Sequence, residues 1–239
     1  MARRARTKRI PANNDFGEGY LGGQLLIATP SMQDPRFAGS IICVCAHSEE
    51  GAMGLVLNRP MEGFDFDDLL KQLDLEPVPA QRSIRLHQGG PVEGGRGFVL
   101  HTNDWSSEGS LQVGGDLALT ASVDILKAIA SGGGPRLGLL ALGYAGWGPG
   151  QLESEIEANA WLSVSPDEAL LFGEAHDAKW RQAFAKLRVD PLLLSAAAGT
   201  PDAPRRAAHG RPAPRHRTLP AARAPTVSCS GARASPARS

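Results

Sequence analysis

Residues 143–156 read GYAGWGPGQLESEI, in which four glycines and a proline separate an apolar run from a helix-like segment rich in glutamate. Glycines between a strand and a helix can hold an anion, because the first helical N–H groups are unpaired and the helix dipole attracts negative charge. Here the helix carries Glu153, Glu155 and Glu157 in its first two turns, and these carboxylates would repel a phosphate. The spacing also fits neither the P-loop nor the dinucleotide-binding pattern. The residues therefore favour a tight strand-to-helix corner.

In such a corner, glycine permits backbone angles that other residues avoid. Trp147 would bury its ring against the sheet, and the amide of Gln151 would close the turn. A different interpretation keeps a ligand-binding cleft, with Trp147 as its wall and with Gln151 and Glu153 as polar contacts. The glycines to which the corner interpretation assigns a structural role are Gly143, Gly146, Gly148 and Gly150.

Outward from this corner, hydrophobic periodicity and turn residues predict interspersed strands and helices. Ser165 to Glu168 form a capping-box pattern with proline at the first helical position, which predicts a helix start. The predicted strands are 21–28, 41–47, 55–58, 83–92, 96–101, 136–144 and 161–164, and the predicted helices are 65–75, 122–130, 151–160, one from 166, one from 177 and one over 190–199. Glycines Gly54, Gly89 and Gly90, with Pro91, mark two of the turns between strands.

Several neighbouring strands have hairpin spacing, with 41–58 as the clearest case. Helices and strands nevertheless alternate along the chain. This pattern predicts an α+β fold, a single domain with a mixed, partly antiparallel sheet surrounded by helices.

Charge is distributed unevenly although the formal net charge of the 239 residues is zero. The first nine residues contain five basic residues and no acid, and residues 197–239 contain eight arginines and one acid. Residues 10–196 hold 12 basic and 24 acidic residues, a net charge of about −12. We expect a basic, disordered head over 1–18, a folded, acidic domain over 19–199, and a disordered Ala/Pro/Arg-rich tail over 200–239, because the tail has little apolar surface to bury.

The compartment follows from the cysteines and the apolar runs. Three cysteines, two of them at Cys43 and Cys45, give no disulfide framework. The longest weakly polar run, LGLLALGYAGW, is too short to cross a bilayer, and the basic head lacks the apolar region of a secretory signal. We therefore expect a cytoplasmic protein with no membrane association.

Cys43, Cys45 and His47 alternate along one predicted strand and would share one of its faces. Their near-collinear spacing does not converge on a tetrahedral metal, so we expect neither a metal nor another cofactor. His47 itself would lie at a strand end, across the hairpin from Asn58 and Arg59, where it either ties the hairpin by hydrogen bonds or does acid-base work in a cleft. His87 and His101 flank the Gly-Gly-Pro turn and allow the same two interpretations.

Four ordered motifs resemble the YqgE/AlgH family of bacterial proteins: LLIATPSMQDPRF, HSEEGAMGLVLNRP, GGPVEGGRGFVLH and LGYAGWGPGQLESEI. The resemblance extends from about residue 19 to 199. It implies a single α+β domain with a branched sheet and a proposed role in transcriptional regulation. It implies no established substrate, cofactor or reaction.

Residues 200–239 lie outside the resemblance, and their composition changes abruptly after Gly199. We hypothesise that this tail arises from a frameshift or an altered stop codon. Gene sequences from related strains test the idea, since an intact reading frame to Ser239 in all of them would contradict it.

Two functions from different classes remain open. The first is a non-catalytic regulatory or adaptor protein that acts through an unknown protein or small-molecule partner. The alternative is a small-molecule sensor or an enzyme, with a cleft formed by His47, Asn58, Arg59, Trp147, Gln151 and Glu153. We expect no specific nucleic-acid binding by the folded domain, because its acidic charge repels phosphates and the helix over 122–130 is followed by a strand instead of a recognition helix.

Overall fold

The computed structural model describes residues 20–75 and 82–197. The predicted head and tail therefore lie outside the described residues. The strands are β1 (Leu25–Ala28), β2 (Ile41–Ser48), β3 (Gly51–Val56), β4 (Leu86–Gln88), β5 (Val92–Thr102), β6 (Leu111–Gly114), β7 (Leu117–Thr120), β8 (Gly138–Trp147) and β9 (Trp161–Val164). The helices are α1 (Phe66–Gln72), α2 (Val123–Ala130), α3 (Gln151–Glu157), α4 (Glu168–Phe172), α5 (His176–Leu187) and α6 (Pro191–Ala197).

The strands form one sheet in the order β6-β7-β5-β8-β3-β2-β1-β9, and β4 joins it as a branch on β8. All pairs on the main path are antiparallel, whereas β4 runs parallel to β8. The α+β class, the mixed and partly antiparallel sheet and its branching are thus confirmed.

The branch arises because β8 changes its partner part-way along one edge. In its first half, Leu140 lies between Leu86 of β4 and Val99 of β5. In its second half, Ala145 faces Gly54 of β3. One continuous strand therefore joins two sheet regions, and helices cover each of them.

Glycines allow the close backbone approach at this branch. A Cβ atom on Gly90 would overlap the backbone of Tyr144, and one on Gly89 would overlap the carbonyl of Gly143. Gly143 itself has φ of 73°, and its Cβ atom would lie 2.6 Å from the Gly90 carbonyl oxygen. No larger side chain fits these positions without backbone movement.

The remaining glycines of the predicted structural set differ in what the fold requires of them. Gly54 is needed for space, because its Cβ atom would lie 2.5 Å from Cγ2 of Ile42. A Cβ atom on Gly146 would lie 3.2 Å from the Tyr144 ring, which is closer than an ordinary contact, and Gly150 has φ of 69°. A Cβ atom on Gly148 would meet only Oε1 of Gln151, at 3.8 Å.

Three hydrophobic clusters pack on the sheet. The largest joins the central strands to α4 and α5 through residues such as Phe98 and Phe184. A second packs α1 and α2 on β4, β5 and β8, around Phe66 and Ile125. The third lies under α3 and contains Trp161 with Trp147. Each group of helices thus packs on the branched sheet through its own apolar core.

Several predicted boundaries differ from those observed. The β6–β7 hairpin was not predicted, because its strands are only four residues long and carry little periodicity. The predicted capping box at Ser165 is wrong, since Asp167 caps α4 by accepting a hydrogen bond from the Leu170 N–H at 2.9 Å. The Asp65 cap of α1 is confirmed, with Asp68 completing its capping box.

We predict that Gly90→Ala lowers the free energy of unfolding by about 3 kcal/mol or more, because a methyl group there must displace the backbone of β8. Gly94→Ala is the matched control: nothing lies within 4 Å of a Cβ atom at Gly94. Urea denaturation of the two variants measures the difference. Equal stability of the two variants would contradict the proposed role of the close approach.

Candidate functional site

The corner between β8 and α3 is closed by a hydrogen bond between two of its own residues. Gly150 takes the left-handed conformation just before the helix, and the Gly148 N–H donates to Oε1 of Gln151 at 3.0 Å. The predicted closure of the turn by the Gln151 amide is therefore confirmed. Gly148 contributes this N–H rather than any special backbone conformation.

Glu155, which is not among the six residues of the predicted cleft, organises the aromatic residues beside α3. One of its carboxylate oxygens accepts hydrogen bonds from the indole N–H of Trp147 at 2.9 Å and of Trp161 at 2.7 Å. The other accepts from the side-chain amide of Gln151 at 2.9 Å. Because both indole rings are buried, the carboxylate satisfies polar groups that would otherwise lack a partner.

His47 ties three segments together. Its Nδ1 accepts a hydrogen bond from the Leu21 N–H at 3.1 Å, so the proton of the neutral ring is on Nε2, which donates to Glu153 at 2.7 Å. The ring of Tyr20 packs edge-on against it at 5.1 Å between centroids. His47 therefore links β2 to α3 and to the segment that precedes β1.

A β-bulge in β2 decides which way His47 points. Val44 pairs with Gly54, but Ala46 pairs with Met53, so Cys45 is the extra residue. Cys43 and Cys45 lie in the largest hydrophobic cluster, and Ala46 packs against the same cluster. After the bulge, His47 therefore points to the opposite face, toward α3. The prediction that the two cysteines and His47 share one strand face is wrong.

Asn58 and Arg59 lie far along β2 from His47. Asn58 accepts a hydrogen bond from the Ile41 N–H at 3.0 Å, at the opposite end of β2, and donates to the Gly39 carbonyl at 2.9 Å. Arg59 donates to the Ala38 carbonyl at 3.1 Å. The residue opposite His47 is Ala52. The expectation that His47 faces Asn58 and Arg59 across the hairpin is wrong, because β2 is long enough to separate them.

The predicted six-residue cleft is therefore not assembled as one unit. Trp147, Gln151, Glu153 and His47 gather around α3, where their polar atoms bond to one another or to neighbouring residues of the fold. Asn58 and Arg59 hold the loop before β2 instead.

A different cleft opens between the β2–β3 hairpin, β5 and β8. It has a volume of about 310 Å³. Its apolar lining includes Ala46, Met53 and Phe98, and Trp147 also borders it. The polar residues around it are Ser48, Glu50, Glu93, Arg96 and Tyr144. We call this space the β5 cleft.

The polar wall of the β5 cleft comes from an irregular part of β5. The register of β5 on β8 shifts between Val92 and Gly97, which leaves Glu93 and Arg96 outside regular pairing. Arg96 forms an ion pair with Glu93 at 3.2 Å, and its guanidinium carbon lies 5.0 Å from the centroid of the Phe98 ring. The sequence signal for this wall is the run VEGGRG, which places both charges among glycines.

Tyr144 supplies the third polar group of the wall. Its ring packs edge-on against Phe98 at 5.8 Å. Burial, reinforced by the negative charge of Glu93, raises the pKa of the Tyr144 hydroxyl above its usual value. The hydroxyl therefore remains protonated at neutral pH and can donate a hydrogen bond.

The other predicted histidines are buried away from the β5 cleft. His101 is bonded to the Thr102 carbonyl at 2.8 Å and to the Thr120 hydroxyl at 2.9 Å. His87 lies 3.4 Å from His176, nitrogen to nitrogen, and His176 is one turn before the buried Lys179. The ammonium of Lys179 donates to backbone carbonyls of α4 and of the loop after β3.

Burial is the main cause of the pKa shifts at His87 and Lys179. It lowers the pKa of His87 to about 3, with further lowering by His176 and Lys179. It also lowers the pKa of Lys179 to about 8. Burial also lowers the pKa of His176, so both imidazoles are neutral at pH 7 and pack beside a buried ammonium group.

Comparison with known proteins identifies the sequence relatives. A family model described as AlgH-like matches residues 25–192. A UPF0301 protein of Rhodospirillum rubrum is 52% identical over 182 residues, which cover 76% of this chain and 95% of the relative. A UPF0301 protein of Azorhizobium caulinodans is 53% identical over 188 residues, which cover 75% of this chain and 92% of that protein.

Solved structures agree with the branched fold. The solution structure of the AlgH protein from Pseudomonas aeruginosa is 44% identical, with a TM-score of 0.64, and the match covers 77% of this chain and 98% of that one. A protein from Corynebacterium diphtheriae is similar in fold, with a TM-score of 0.55 at 22% identity, over 68% of this chain and 85% of that one. Within the described residues, no helix is both long and apolar enough to cross a membrane.

We predict that Glu155→Ala lowers the free energy of unfolding by about 3 kcal/mol, because it leaves two buried indole N–H groups without an acceptor. Glu157→Ala, which removes an exposed carboxylate from the same helix, should change it by less than about 0.5 kcal/mol. Thermal or urea unfolding followed by tryptophan fluorescence tests both. Similar losses in the two variants would show that the indole bonds are unimportant.

We predict a loss of stability in acid that depends on His87. Because the pKa of His87 is lower in the folded chain than in the unfolded chain, its contribution is complete above the unfolded value of 6.5 and is lost as the pH falls toward about 3. When the pH falls from 7 to 5, the free energy of unfolding of the unmodified chain should decrease by about 2 kcal/mol more than that of the His87→Gln variant. Urea denaturation at both pH values measures this, and parallel losses would contradict it.

Proposed function

The chain belongs to the AlgH-like family, and we propose that it is a non-catalytic regulatory or adaptor protein. It works by binding, with a small organic ligand held in the β5 cleft. The observation that carries the proposal is the cleft itself, with a volume of about 310 Å³ and an apolar lining of Ala46, Met53 and Phe98. Ligand pockets in proteins begin at about this size and combine an apolar wall with a few polar groups.

The polar wall indicates the class of ligand. The Tyr144 hydroxyl donates, and Arg96 offers further N–H groups while its partner Glu93 remains half-exposed. An uncharged or weakly anionic molecule with an apolar body fits such a wall, since its body packs on the apolar lining and its acceptor atoms reach Arg96 and Tyr144. A strongly anionic ligand would have to displace Glu93 from Arg96 and would face Glu50 as well.

The polar groups near the cleft support binding over catalysis. The described residues that line the cleft include no histidine and no cysteine. The hydroxyl of Ser48 accepts a hydrogen bond from the Glu50 N–H at 3.2 Å, and no imidazole of the lining can activate it as a nucleophile. His47, which the alternative enzyme interpretation requires, points away from the cleft and is bonded to Glu153 at 2.7 Å.

Charge and thiol chemistry support the partner class and compartment that we propose. The described ranges hold 21 acidic and 12 basic residues, so the domain repels a polyanion and favours a small-molecule or protein partner over nucleic acid. Cys43 and Cys45 are buried as free thiols, as is usual in a reducing compartment. We accordingly propose a cytoplasmic location.

We predict that a library of small organic metabolites, screened by thermal shift on the full chain, contains compounds that raise Tm, because a ligand that binds only the native state stabilises it by mass action. Arg96→Ala should lower the affinity for such a compound by about tenfold, as measured by calorimetric titration. Arg36→Ala is the matched control, since Arg36 also forms an ion pair, with Asp34 at 2.6 Å, and lies over a phenylalanine ring outside the cleft.

A second variant pair isolates the hydroxyl group. Tyr144→Phe should weaken binding, whereas Tyr20→Phe should not, because Tyr20 packs on His47 away from the cleft. Recovery of the compound unchanged after prolonged incubation supports a non-catalytic role, and its conversion by the chain would overturn that part of the proposal. Binding that is insensitive to both Arg96→Ala and Tyr144→Phe would exclude the β5 cleft.

A further inference from the structure

A second concave surface lies between α1 and α2, on the other side of the irregular part of β5. It is lined by Leu69 of α1 and Leu73 just after that helix, Val123 and Leu126 of α2, Gly97 of β5 and Leu142 of β8. Its volume is about 120 Å³, enough for one or two aliphatic side chains and too small for most metabolites. We call it the α1–α2 groove.

Two large apolar side chains remain exposed at this groove. Leu73 is 38% exposed and Val123 is 41% exposed, although α1 and α2 bury their other apolar residues in a shared cluster. Contiguous exposed apolar patches mark protein interaction sites more often than scattered apolar residues do. Single exposed leucines on a convex surface carry no such meaning.

Glycines keep the groove open along β5. A Cβ atom on Gly95 would have no neighbour within 4 Å, and one on Gly97 would meet only leucine methyl groups at 3.7 Å. The backbone conformation does not require glycine at either position, since neither residue has a positive φ. The space at Gly95 is therefore available to a side chain of another molecule.

The charge beside the groove identifies the kind of partner. The two helices and their flanking residues carry Asp65, Asp67, Asp68, Asp74 and Asp124 against two lysines. Both lysines are already paired within their helices, Lys71 with Asp68 at 3.4 Å and Lys127 with Asp124 at 3.7 Å. The two helices that flank the groove therefore carry a net negative charge, which is complementary to a basic segment.

We propose that the α1–α2 groove docks a segment of a partner protein that carries leucine-like anchors flanked by lysine and arginine. The inference deepens the proposed function and rests on it, since it gives the regulatory or adaptor role a protein-binding surface apart from the ligand cleft. The anchors occupy the space between Leu73 and Val123, and the basic flanks lie beside the aspartates of α1 and α2. Such helix-in-groove docking is a recurrent mode of peptide recognition.

The test uses the full chain and three synthetic peptides, with backbone amide NMR shifts as the readout. The first peptide, KRLLKRLLKR, has both anchors and basic flanks; KRSSKRSSKR lacks the anchors, and EELLEELLEE reverses the charge. We expect the first to shift amides of α1, α2 and the Gly95 region, and to bind at least about tenfold more tightly than either of the others. Raising NaCl from 50 to 500 mM should weaken it several-fold.

Matched variants locate the site. The double variant Leu73→Ser with Val123→Ser should lower the affinity for the first peptide by about tenfold. Leu192→Ser should not change this affinity, although Leu192 is 77% exposed. Gly95→Leu should fill the groove and block the peptide, and Gly94→Leu, one residue outside the lining, should not. All these positions are exposed, so the variants are expected to fold, and unchanged amide spectra elsewhere verify this.

The alternative occupants are outcomes of the same experiment. If the chain is a dimer that Leu73→Ser with Val123→Ser separates, a second copy occupies the groove and the proposal is overturned. If a peptide of residues 1–18 binds there more tightly than KRLLKRLLKR, the basic head of this chain is the occupant, which also overturns it. Equal binding of the three peptides would exclude specific docking. Arg96→Ala should leave peptide binding intact, so failure of the β5 cleft and failure of the groove are separable.

Discussion

The close backbone contact between Gly89–Gly90 and Gly143–Tyr144 is the constraint on which the rest of the fold depends. Without side chains at Gly89 and Gly90, the turn after β4 can lie against β8 at the point where β8 changes its partner from β4 to β3. Any Cβ atom at these positions would occupy the space of the β8 backbone, which protein packing does not tolerate. The branched sheet is therefore a steric consequence of a few glycines rather than of hydrophobic burial alone.

The branch also explains why the two candidate binding surfaces are separate. The first half of β8 supports α1 and α2, and the second half supports the β2–β3 hairpin and α3. The irregular part of β5, residues 93–96, lies where the two halves meet. Arg96 and Glu93 contribute to the β5 cleft, whereas the neighbouring Gly95 and Gly97 line the α1–α2 groove. A single stretch of sequence thus borders both surfaces.

The glutamates of α3 show how charged residues can look like a binding site and serve the fold instead. Glu153 accepts a hydrogen bond from Nε2 of His47, and Glu155 accepts hydrogen bonds from both buried indole N–H groups. Each bond satisfies a polar group that burial would otherwise leave without a partner. The same carboxylates that argue against an anion at this corner are thus the residues that hold it closed.

The sequence by itself determined the elements and the family. Strong periodicity and caps such as Asp65 located most helices and strands, and the glycine-rich corner at 143–150 was identified correctly, because these signals are local. What lies close in space was decided only by the tertiary structure. One extra residue at Cys45 turned His47 to the other face, the length of β2 separated His47 from Asn58, and the register of β5 on β8 brought Arg96 beside Tyr144 and Phe98. A bulge or a register shift changes every later side-chain direction by a face, and no local pattern of residue types records it.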